Sequence, residues 1–141
     1  MANGFERMRG THPKDGSGRL VRRRWFYVFA YLMLVFVLSA QPGLHVPGTI
    51  AYRDKLAHVL EYGGLGWLVY RAVLDSWPAA GAARRVLLSI LALSAVGAID
   101  EKFQAGVPGR DSSVYDWMAD TVGMSLAQVG CLALEKRRGV S

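Results

Sequence analysis

The chain has 141 residues, of which 52% are hydrophobic and 20% charged, with a formal charge of +6, a pI of about 9.8 and a mean hydropathy of +0.19. These averages suit one ordinary domain, but the charges fall in short blocks between long apolar runs, which argues against a plain soluble fold. A single cysteine, Cys131, excludes an intrachain disulfide and a thiolate metal cluster. Basic residues that flank apolar runs without a recognition motif exclude nucleic acid as a partner.

In chain order, residues 1–18 are polar, basic and without apolar periodicity, so a disordered cytoplasmic tail drawn to anionic lipid is expected over about residues 1–20. Four apolar runs follow, at 25–40, 56–74, 86–99 and 114–134, each near the roughly 20 residues that a membrane-spanning helix needs. Arg22, Arg23 and Arg24, the first run, and Ser39 with Ala40 imitate a signal peptide. Leu38 where a small residue is wanted, the length of the run and the three runs behind it favour a retained helix. This first helix is expected over 25–40, stopped by Gln41, Pro42 and Gly43. The second should start at Asp54 or Lys55 and end near Leu74, with Ser76, Trp77 and Pro78 turning the chain. A third is expected over 83–104, ended by Gly106, Pro108 and Gly109, and a fourth over 113–135. The fold class is therefore an all-α membrane protein, with residues 21–136 forming one four-helix membrane domain in contact with the lipid bilayer.

The distribution of basic residues orients it. With the N-terminus inside, the tail arginines and lysine, then Arg71, Arg84 and Arg85, and finally Lys136, Arg137 and Arg138 all lie inside. Only Arg53, Lys55, Lys102 and Arg110 remain outside. That asymmetry puts both termini in the cytoplasm.

The outer ends of helices two, three and four then gather Asp54, Lys55, His58, Glu61, Asp100, Glu101, Lys102, Gln104, Arg110, Asp111, Asp116 and Asp120. Asp54, His58 and Glu61 share one face of helix two at 100° per residue, flanked by Lys55 and Tyr62. In helix four, Ala119, Gly123, Ala127 and Cys131 recur every four residues as a small-residue stripe that lets a neighbour approach, and Asp116 and Asp120 are read as continuing it into the bundle. Ionisable groups at such depth are costly and mark function. His58, Glu61, Glu101 and Asp120 are the expected catalytic set, with His58 as proton shuttle among carboxylates. Asp54, Lys55, Tyr62, Asp100, Gln104, Arg110 and Asp116 are the expected binding residues, with Arg110 suited to a phosphate or a carboxylate. The oxygen-rich set also suits a hard divalent cation such as magnesium or calcium. Structural readings stand beside these: Asp54 as a helix cap, Ser113 with Asp116 as a capping box, and Lys55, Lys102 and Asp111 as solvated or snorkelling groups.

DKLAHVLEYGGLGWL, followed by DEKFQAGVPGRDSSVYDWMADTVG, resembles the VanZ-like family of bacterial membrane proteins over residues 52–123, about half the chain. The family pattern is an Asp-Lys-x-x-His-x-x-x-Tyr helix, an acidic pair with glutamine, a Pro-Gly-Arg turn and a closing Asp-x-x-x-Asn/Asp-x-x-Gly helix. Here those positions are Asp54, Lys55, His58 and Tyr62, then Asp100, Glu101 and Gln104, then Pro108, Gly109 and Arg110, then Asp116, Asp120 and Gly123. Asp120 stands where many members have asparagine, which keeps the polarity and adds a charge. The resemblance implies a cell-envelope protein linked to resistance to the glycopeptide teicoplanin, and it implies no defined reaction. Three readings compete: an enzyme acting on a lipid-linked or phosphorylated envelope component, a non-catalytic accessory or binding protein, and a small-solute or proton-coupled transporter, which with so few helices would be a homo-oligomer.

Overall fold

The computed structural model describes residues 15–42, 51–110, 112–137 and 139, with the side chains of 16–42 and of 54 onward. Four helices make up the fold: α1 (Asp15–Ser39), α2 (Ala51–Ser76), α3 (Ala82–Gln104) and α4 (Val114–Arg137). The all-helical, four-element architecture expected from the apolar runs is present. The helix starts differ from expectation. α1 begins at Asp15, well before the apolar run at Trp25, because the arginine-rich stretch from Arg19 to Arg24 consists of good helix formers that extend the helix past its apolar part. Residues 1–14 of the expected tail lie outside the described residues. α2 begins at Ala51, so Asp54 sits in its first turn and is not its cap.

Side-chain pairs fix the direction of each helix. At one end, Ser39 closing α1 bonds to Asp100 near the end of α3, and Lys55 and His58 opening α2 meet Asp116 and Asp120 opening α4. At the other end, Arg24 of α1 pairs with Asp75 of α2, the Trp25 indole donates to Ser76 Oγ at 2.9 Å, and Tyr70 of α2 donates to Glu135 of α4 at 2.6 Å. The helices therefore run alternately up and down, and the start of α1 and the end of α4 share one end. α2 is the hub: it packs on α1, α3 and, most extensively, on α4, whereas α1 and α4 do not touch among the described residues.

The closeness of α2 and α4 comes from glycine. A Cβ on Gly123 would overlap the backbone of Val59, and one on Gly66 would stand 2.8 Å from Met124 Cα. Two backbones meet where side chains would otherwise hold them apart, as small residues permit between helices. Around this seam lies the apolar core of Val28, Val35, Tyr62, Leu65, Val69, Ala72, Val73, Leu93 and Met124.

Large apolar side chains lie outside as well as in the core, and ionisable groups lie inside. Leu60 and Leu126 are each 65% exposed, and Phe26, Phe29, Met33, Leu91 and Ile99 also face outward, while His58, Asp100, Glu101, Gln104, Asp116, Asp120 and Gln128 are buried. Ionisable residues are seldom buried in soluble domains unless they are paired. Among the described residues, one helix, α3, is long and apolar enough by length and composition to cross a membrane; its 23 residues span about 34 Å.

Candidate functional site

The site is built where α2 and α4 begin and α3 ends. On α4 the buried line is Asp116, Asp120, Met124 and Gln128, with Gly123 beside it. Of the expected stripe of Ala119, Gly123, Ala127 and Cys131, Gly123 is buried and makes the close approach to α2, whereas the other three are half-buried, beside the buried line. Both aspartates still point into the bundle, as expected.

His58 and Asp120 form the centre. His58 Nδ1 lies 2.8 Å from Asp120 Oδ1, with both side chains buried. A carboxylate on Nδ1 fixes the ring and directs Nε2 elsewhere, the arrangement by which proteins orient a working imidazole. Gly97 of α3 makes room for this pair: a Cβ there would stand 3.2 Å from Asp120 Oδ2 and 3.5 Å from the Tyr62 ring. Glu101 joins from α3, and one ligand atom each from His58, Glu101 and Asp120 fall within 4.8 Å of one another.

Glu101 also organises α4. Its Oε2 accepts the Ser113 backbone N–H at 3.0 Å, while Ser113 Oγ accepts from Tyr115 N–H at 3.1 Å. Ser113 thus caps α4 as expected, but the reciprocal acid of the capping box is Glu101 and not Asp116. Asp116 instead pairs with Lys55, so that lysine ties α2 to α4 and is not merely solvated. Asp54 is exposed beside it, with ligand atoms of Asp54, His58 and Asp116 also within 4.8 Å of one another.

A second polar knot lies toward α1. Asp100 Oδ2 accepts from Ser39 Oγ at 3.0 Å, from Gln104 Nε2 at 3.2 Å and, at a long 3.4 Å, from the Tyr62 hydroxyl. Gln104 Nε2 also donates to Ser39 Oγ at 3.1 Å, and its Oε1 accepts from Arg110 Nη2 at 2.8 Å. Arg110 reaches this position from a tight turn in which Gly109 takes φ +79 after Pro108 and Arg110 N–H returns to Val107 O at 3.1 Å. Proline then glycine at the centre of a turn is the type II requirement. The expected partner of Arg110, a phosphate or carboxylate, is here the Gln104 amide oxygen.

Glu61 is half-buried and makes no hydrogen bond or ion pair among the described residues. It stays outside the group of His58, Glu101 and Asp120 whose ligand atoms converge. Lys102 is exposed, and Asp111 lies outside the described residues. Two contributors to the site, and one buried polar residue away from it, were not expected from the sequence. Ser39 is the lone hydroxyl at the outer end of the first apolar run, a position that would have flagged it. Gly97 carries no signal of its own. Gln128 is fully buried toward the other end, with neither amide atom bonded.

At this end of the bundle, among the described residues, three buried carboxylate oxygens have no hydrogen-bond partner: Asp100 Oδ1, Glu101 Oε1 and Asp120 Oδ2. Chemically, the arrangement offers an oriented imidazole, acidic oxygens and one guanidinium within one end of the bundle. No family model, curated protein or solved structure matches this chain.

Proposed function

We propose that the chain is a VanZ-like integral membrane protein of the bacterial cell envelope that binds, and acts on, a lipid-linked or phosphorylated envelope component at the outer face. The observation that carries this reading is the placement of outward-facing leucines and phenylalanines around an interior that also holds His58, Asp100, Glu101, Asp116 and Asp120. Lipid solvates the first group, and burying the second is tolerated where the groups pair or serve a function. On this reading all four helices cross the bilayer. His58 acts as acid or base with Asp120 holding its ring, Glu101 and Glu61 set the local field, and Arg110 recognises phosphate.

A second reading, a non-catalytic accessory or binding protein, draws support from the pairs Lys55 with Asp116 and Glu101 with Ser113, each of which joins two helices or a helix to its cap. Polar bonds of this kind hold membrane helices together without chemistry.

Topology is tested first. In a background where Cys131 is replaced by alanine, a cysteine at Val107 should react with an impermeant thiol reagent in intact cells, and one at Gly139 only after permeabilisation. The reverse pattern, or recovery of the protein in the soluble fraction, would reject the membrane reading.

A further inference from the structure

The outer site buries three carboxylates around one imidazole. Asp120 and Asp100 are 0% and 1% exposed and Glu101 6%, and each has one buried oxygen with no hydrogen-bond partner. Among the described residues no lysine or arginine bonds these three carboxylates: Lys55 pairs with Asp116, and Arg110 donates to the neutral Gln104 amide. A bare carboxylate oxygen away from water is costly, so it takes a proton or a cation. Of the bare oxygens, those of Glu101 and Asp120 belong to the side chains that come together with the His58 imidazole, from three different helices.

We infer that His58, Glu101 and Asp120 form a binding site for one divalent cation of the manganese or zinc type. Three donor atoms within 4.8 Å of one another stand close to the spacing of ligands around such an ion; with bonds of about 2.1 Å, neighbouring and opposite ligands lie roughly 3 to 4 Å apart. Closing the set therefore asks for side-chain shifts of under about 1 Å. Two carboxylates alone would suit magnesium or calcium, whereas an imidazole in the set moves the preference to a first-row transition ion. A double positive charge would also balance the two acids where no arginine or lysine does. The other acidic group, Asp54, His58 and Asp116, is the weaker candidate because Asp54 is exposed and Asp116 is already bound by Lys55.

The inference rests on reading this cluster as the working site, and it changes the part of His58 there from proton carrier to ligand. The ligand class it implies is a phosphate group, whose oxygens a bound cation polarises and Arg110 can grip.

Metal content tests it without any assay of a reaction. The full chain, extracted in mild detergent without chelator, should carry one equivalent of manganese or zinc per chain by elemental analysis. After chelator treatment, adding either ion should restore the melting temperature by several degrees. Glu101→Gln keeps an oxygen for the Ser113 N–H and so preserves the cap of α4, yet it should weaken manganese binding at least about tenfold. Glu135→Gln, at the opposite end, should leave binding unchanged. A chain that carries no metal and shows no thermal response to manganese or zinc overturns the site, as does a Glu101→Gln protein that binds as tightly as the parent or a chain that responds only to magnesium or calcium. Absence of metal would leave the proton-transfer role of His58 standing. A metal retained in a chain whose His58 variants remain active would instead remove that role and leave a structural ion.

Discussion

His58→Asn is expected to abolish function at normal protein abundance. Nδ1 is the nitrogen that meets Asp120, and an asparagine amide reaches about the same point, so the variant keeps a donor to the carboxylate and the bond between α2 and α4. What it loses is the second ring nitrogen, with its capacity to exchange a proton or hold an ion. General acid–base groups contribute at least about a hundredfold to the reactions they serve. His58→Gln, whose amide reaches toward the other ring nitrogen, should lose function as well and should lose more stability, because it leaves Asp120 without its partner. Lys102→Gln should be nearly silent, since that side chain is exposed. The envelope phenotype that the chain confers on its host, normalised to the abundance of each variant, reads the outcome. If His58→Asn is fully active and normally abundant, the histidine only joins helices, and the accessory reading takes its place.

Most of the outline of this fold was legible in the sequence. The four apolar runs became four helices, and the gathering of Asp54, His58, Glu101, Asp116 and Asp120 at one end follows from alternating helices of similar length. The rotation of each helix about its axis was not legible. In a soluble helix the polar face announces which side is buried, but here the outward side is also apolar, so Leu126 and Met124 look alike in the sequence although one is 65% exposed and the other fully buried. That is why Ala119, Ala127 and Cys131 look in the sequence like a packing line equal to that of Gly123, although Gly123 alone of the four is buried. Pairings depend on rotation, so they were hidden too: Glu101 taking the cap at Ser113, Lys55 taking Asp116, and Ser39 entering the knot around Asp100. The site residues could be chosen by type and depth, whereas their partners follow from which glycines let which helices touch.

Those glycines provide the largest expected effect on stability. Gly123→Ala should destabilise the bundle by about 3 kcal/mol or more, because the new methyl would occupy the position of the Val59 backbone, which cannot swing aside as a side chain can. Gly66→Ala should cost somewhat less, its Cβ standing 2.8 Å from Met124 Cα and 2.9 Å from Met124 O. Gly63→Ala should be tolerated, with its nearest neighbour at an ordinary 3.6 Å. Gly130→Ala meets nothing within 4 Å and should be neutral or slightly stabilising, since alanine favours the helix by up to about 1 kcal/mol over glycine. The series isolates close approach from helix propensity, because every member makes the same chemical change within a helix. Separation of α2 from α4 would also part His58 from Asp120, so Gly123→Ala should lose function in step with its loss of thermal stability. Melting temperatures in one detergent decide the matter. An order in which Gly130→Ala is as harmful as Gly123→Ala, or in which Gly123→Ala is neutral, would mean that α2 and α4 do not meet at this seam.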